Sequence, residues 1–148
     1  MIFKPKYDSF FIKFIAICIL IIGTATLFPL FLEDAKKDFV VLALICSLIF
    51  ILSAGFILWI ITSIIYEFKE DFLYVKGGPF RSRIPYEMIT SVAPTRDIFT
   101  GYRLSTSRDG LEIFYKTAAL GSVKVSPKEK EQFISELKKR IPHATINL

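Results

Sequence analysis

Two long apolar runs fill much of the first half of the chain, and short alternating stretches fill the second. Phe10 to Leu32 carries a single charge, Lys13, and Phe39 to Tyr66 carries none. Both exceed the roughly 18 apolar residues that mark a spanning segment. An α-helix satisfies every backbone N–H and C=O internally, so the pattern predicts two transmembrane helices, at 10–32 and 39–61, joined by a short connector. The second run is longer than a hydrocarbon core of roughly 30 Å needs at about 1.5 Å per residue. Its end, TSIIYEF at 62–68, is rich in β-branched and aromatic residues, with Ile64, Tyr66 and Phe68 alternating against Ser63, Ile65 and Glu67. A helix ending near Ile61 is therefore expected to pass almost at once into a strand.

Strand and turn signals follow in succession. KED at 69–71 separates the first strand from FLYVK at 72–76, and Gly77-Gly78-Pro79 separates that from FRSRI at 80–84. MITSVAP at 88–94, GLEIFYK at 110–116 and GSVKV at 121–125 add three more, which together read as an antiparallel meander. A final helix carries Phe133, Ile134, Leu137 and Ile141 on one face and Lys138, Lys139 and Arg140 near its carboxyl end. SPKE at 126–129 reads as its capping box, with Ser126 as N-cap, Pro127 in the first turn and Glu129 reaching back. The pattern divides the chain into residues 1–61, an amino-terminal tail with the hairpin, and residues 62–148, a folded polar unit.

Composition agrees with that division. The chain is 53% hydrophobic, above the roughly 45 to 50% of soluble domains, and residues 67–148 hold 24 of its 33 acidic and basic side chains. Lys4, Lys6 and Lys13 precede the first span and Lys69, Lys76, Arg81 and Arg83 follow the second, whereas the connector holds only Lys36 and Lys37. The positive-inside rule then expects both termini in the cytoplasm and the connector outside. A cleavable signal peptide is the rival for the first run, with Gly23-Thr24-Ala25 as its cleavage site, but the apolar character continues through Leu32. Ala16 and Gly23 on the first helix, and Ala43, Ser47 and Ala54 on the second, are expected to let the backbones approach. Cys18 and Cys46 read as small packing residues.

Residues 62–145 resemble the YyaB-like bacterial pleckstrin-homology (PH) domains, a family usually preceded by one or two membrane spans. The resemblance rests on RIPYEMITSV at 83–92, SRDGLEIFY at 107–115 and VKVSPKEKEQFISEL at 123–137. Gly110 departs from the arginine frequent in such proteins, so no role of that arginine carries over. The resemblance implies an α+β fold: a bent antiparallel sheet or partial barrel capped by a carboxyl-terminal helix, here behind a transmembrane hairpin in the bacterial cytoplasmic membrane. It does not by itself imply a ligand, since fold does not determine function.

Enzymatic constellations are thin. His143 is the single histidine, Ser105, Ser107 and Asp109 have no base near them in sequence, and Glu67, Glu70 and Asp71 read as a hairpin turn. No catalytic residue, metal or cofactor is expected. The segment Thr95 to Gly110 is longer than a plain connection and interleaves Arg96, Arg103 and Arg108 with Phe99 and Tyr102, which suits a protein groove or an anionic headgroup surface. Lys76, Arg81 and Arg83 are placed to hold the unit against an anionic leaflet at about 1 kcal/mol per basic residue. The polar unit has 14 basic and 10 acidic residues, interspersed, so nucleic acid is not an expected partner. The reading is a non-enzymatic, membrane-anchored module that binds anionic lipid headgroups or another membrane protein. The alternative is a structural or assembly subunit, a homo-oligomer included, that acts through its transmembrane helices.

Overall fold

The computed structural model describes residues 1–32, 38–96, 102–117 and 121–147. Helix α1 spans Ser9–Leu27, and Asp8 caps it by accepting a hydrogen bond from the Phe11 backbone N–H at 2.7 Å. The helix tightens into a 3-10 turn over Phe28–Phe31, where Pro29 has no N–H to continue the α ladder. Helix α2 spans Phe39–Thr62. Both are long and apolar enough to cross a membrane. They are unlike the core helices of a soluble protein, because their leucine, isoleucine and phenylalanine side chains stand exposed, with Leu20 at 69% and Val40 at 70%. Water would penalise such a surface.

The two helices meet along one seam. Cys46 is buried in it, and a Cβ at Gly23 would lie 3.2 Å from Phe50 Cε2, so Gly23 provides the close approach expected of a small residue. Ser47, expected in the same seam, is exposed instead, because Cys46 and Phe50 take up the inward positions of that turn.

Beyond α2 the chain turns at Ser63 and enters a strand at once. Sheet one has the order β1-β2-β3-β4, all antiparallel, from β1 (Ile2–Phe3), β2 (Ile65–Phe68), β3 (Phe72–Gly77) and β4 (Phe80–Pro85). Sheet two has the order β6-β8-β7-β5-β9, from β5 (Ile89–Thr95), β6 (Tyr102–Leu104), β7 (Gly110–Tyr115), β8 (Ser122–Val125) and β9 (Thr145–Ile146). The expected meander needs correction here, since β6 pairs with β8 and β9 with β5 in parallel. Both pairings are non-local, and strands of two or three residues carry too little period-2 pattern to be read. Helix α3 (Lys130–Arg140) buries Phe133, Leu137 and the following Ile141, as the apolar stripe predicts.

The amino-terminal residues belong to the folded unit. Ile2 and Phe3 pair with Glu67 and Tyr66, and Phe3 enters the core edge-on to Phe68 and Phe133, with ring centroids 5.5 and 5.3 Å apart. Pro5 then faces Pro127, flanked by Lys6 N–H to Ser126 O at 2.7 Å and Lys128 N–H to Lys4 O at 2.9 Å. The two prolines occupy the non-hydrogen-bonded site of this antiparallel bridge, so neither missing N–H removes a ladder bond. Residues 4–6 thus join the first sheet to the chain leaving β8.

This pairing overturns the expected capping box. Ser126 does not cap α3; it stays extended against the amino-terminal strand, and its hydroxyl accepts from Thr106 N–H at 2.8 Å. The helix starts four residues later, with Glu129 at the N-cap position and no side-chain cap.

Candidate functional site

Three groups of basic side chains gather where the folded unit meets the helix ends. The first lies on the β3–β4 hairpin. Lys76 and Arg81 are cross-strand partners, and Arg83, opposite Tyr74, sets its guanidinium 5.9 Å from the centroid of the Phe72 ring. The turn of this hairpin rests on α2: Gly78 has φ +57°, and a Cβ there would lie 2.8 Å from Ile60 Cγ1 and 3.2 Å from its Cα. Gly78 N–H also donates to the Ser63 hydroxyl. Only glycine combines that backbone conformation with so close an approach. Phe80, at the end of the same turn, is half exposed.

The second group surrounds the start of α1. Arg108 stacks on Phe10, its Cζ 3.4 Å from the ring centroid, while its backbone N–H donates to Asp8 Oδ2 at 2.7 Å. Asp8 therefore holds α1 and the 105–109 segment together, and these hydrogen bonds help to lower its carboxyl pKa against the opposing effect of burial. Arg96 and Arg108 line one crevice of about 620 Å³ with Lys130 and Asp109. Asp109 bridges Lys130 and Lys6, the latter at 3.1 Å, and those two hydrogen bonds hold its carboxyl below the usual carboxylate range. Of the other expected site residues, Phe99 lies outside the described residues. Tyr102 and Arg103 fall on β6, opposite Val123 and Lys124 of β8.

The third group was not anticipated from the sequence. Lys4, Lys6 and Lys128 line a crevice of about 490 Å³ with Tyr7, Thr62 and Ile65, beside the end of α2. The Tyr7 hydroxyl donates to Ile61 O at 2.9 Å, which ties this crevice to the last turn of the helix. A signal for it was present in the first six residues, where Phe3 and Pro5 alternate with Lys4 and Lys6.

Residues 64–141 match the bacterial PH domain family, more than half of the chain. The chain belongs to the bacterial PH domain family. It is also 30% identical over 140 residues, 95% of this chain and 92% of the relative, to "Uncharacterized protein YyaB" of Bacillus subtilis (strain 168). No solved structure matches. The likeness to that relative runs through the helical hairpin as well as the PH domain, which agrees with the expected α+β architecture.

Within this PH domain the polar interior is structural. Tyr66 is fully buried, its hydroxyl donating to Leu104 O and accepting from Ser126 N–H at 3.1 Å, and burial pushes its phenol pKa up. Tyr86 likewise donates to Lys69 O at 2.8 Å. Both tie together segments distant in sequence.

Proposed function

We infer that this chain is a membrane-anchored, non-catalytic PH module that rests on the bilayer surface and engages anionic lipid headgroups. Helices α1 and α2 cross as a hairpin in the cytoplasmic membrane, and the PH domain lies on the cytoplasmic side. The observation that carries this reading is the packing of Gly78 on Ile60, which fixes the β3–β4 turn at the level where α2 ends. Phe80 then sits at the interfacial depth favoured by aromatic rings, with Lys76 and Arg81 one residue behind it. Arg83 lies two residues further along β4, about 7 Å more distant from the turn. The pairing of Ile2 and Phe3 with β2 supports a shared side for both ends of the hairpin, because residues of one sheet cannot be separated by a bilayer. The same pairing supports retention of the first apolar run.

The test uses the full-length protein in nanodiscs. Hydrogen exchange over residues 76–83 is expected to slow when phosphatidylglycerol replaces part of the phosphatidylcholine, and the triple variant Lys76→Glu, Arg81→Glu, Arg83→Glu should abolish that difference. Equal exchange in the two lipids would reject headgroup contact by this hairpin.

A further inference from the structure

The strand register aligns more cations than the hairpin pair alone. Ile2 and Phe3 lie opposite Glu67 and Tyr66, so the next residue, Lys4, falls beside Ile65. Ile65 in turn is opposite Lys76, and Lys76 is opposite Arg81. On the other side of Lys4, the Pro5 to Pro127 bridge puts Lys128 directly across. Side chains alternate between faces, and Phe3, Tyr66 and Val75 fill the core. Lys128, Lys4, Ile65, Lys76 and Arg81 therefore form one transverse row on the outer face, three residues past the end of α2.

At the amino-terminal end of this row the two lysines face each other, and Lys128 also lines a separate crevice with Glu129 and Glu131. Lys4 and Lys128 are like charges directly opposite on paired backbones, an arrangement that destabilises a sheet. Neither has an acidic partner among the described residues, and no acidic side chain lines their crevice. Lys6, which shares it, spends its charge on Asp109. Ile64, Ile65 and Pro5 give the crevice an apolar lining, with Thr62 beside them. Such a cleft, lined by both cationic and apolar side chains, fits a phosphate whose carrier continues into hydrocarbon.

We propose that the crevice between Lys4 and Lys128 is a discrete binding site for the phosphate of an anionic ligand, one molecule per chain. Its position beside the end of α2 makes the headgroup of an anionic phospholipid the ligand that reaches it most directly; inorganic phosphate shares the recognised chemistry. The proposal rests on the membrane-surface reading above only for the lipid source, since the paired lysines and their crevice exist independently of the β3–β4 turn.

Native mass spectrometry of the full-length protein, delipidated in mild detergent and then offered phosphatidylglycerol, phosphatidylcholine or inorganic phosphate in separate arms, tests it. One phosphatidylglycerol is expected to be retained in preference to phosphatidylcholine. The double variant Lys4→Gln, Lys128→Gln should lower that retention by at least about tenfold, as the loss of two charges near a surface predicts. The Lys4→Arg, Lys128→Arg pair should keep it. Retention of inorganic phosphate with the same sensitivity to the variants, and retention of neither lipid, would support the site and assign it to soluble phosphate. Equal retention in the wild type and the glutamine variant, or equal uptake of phosphatidylcholine, overturns the proposal. In lipid-free detergent the glutamine variant should melt no lower than the wild type, because it relieves a repulsion; a lower midpoint together with unchanged retention would make these lysines structural. Protection of the β3–β4 turn by phosphatidylglycerol should persist in the glutamine variant, so failure of this site and failure of the hairpin contact are separately visible.

Discussion

Single residues decide how the PH domain is seated on its helices. Gly78→Ala forces a side chain into left-handed backbone and against Ile60. The conformational part alone costs about 1–2 kcal/mol, to be read as a lower melting midpoint with faster exchange across residues 77–80. Asp109 acts through charge. Its folded-state pKa is depressed by Lys130 and Lys6, so its contribution is complete above the ordinary carboxylate range and is lost as pH falls through the lowered value. The gap in melting midpoint between the wild type and Asp109→Asn should thus be widest at neutral pH and close below about pH 4. At this scale the sequence was only partly legible. Gly77-Gly78-Pro79 announces a turn, but nothing in it tells that Ile60 will lie against the second glycine. Arg108 was legible as a surface cation, whereas its ring partner Phe10 is remote in sequence and belongs to a helix.

Among elements, β1 contributes most for its length. Two residues deliver Phe3 to the rings of Phe68 and Phe133, and Phe3→Ala should cost about 3–5 kcal/mol in chemical denaturation of the full-length protein in detergent. A loss below about 1 kcal/mol would mean that the strand is not part of the cooperative unit. The elements with strong local pattern were readable in advance: two apolar helices, the alternation of Ile64, Tyr66 and Phe68, and the stripe on α3. β1, β6 and β9 were not, since each has three residues or fewer and pairs with a strand distant in sequence. The mistaken cap at Ser126 has the same origin. Its local motif favours a helix start, but the amino-terminal strand donates from Lys6 N–H to Ser126 O and accepts at Lys4 O from Lys128 N–H, which holds the segment extended.

At the scale of the whole molecule, the proposed hairpin topology can be tested directly. In a background with Cys18 and Cys46 replaced by alanine, a cysteine at Ile2 and one at His143 should react with an impermeant maleimide only after the cytoplasmic face is opened. A cysteine at Asp38 should react from outside intact cells. Labelling of position 2 and position 143 from opposite sides would contradict the pairing of β1 with β2. The basic row belongs to this scale too, because Lys128, Lys4, Lys76 and Arg81 are scattered along the sequence and become neighbours only through strand register. Neither charge counting nor motif spacing could have assembled it.

The stitching of residues 2–6 to β2 and to the chain leaving β8 also bears on how the molecule is made. Ile2 must find Glu67, and Lys4 must find Lys128, separations that in a free chain carry a heavy loop-closure entropy and slow folding. On the proposed topology the bilayer performs that closure, since two antiparallel helices return the polypeptide to the point where it left. The backbone partner of Lys4 appears only when synthesis has passed residue 128, so on that topology the amino-terminal strap closes only after both helices have been made.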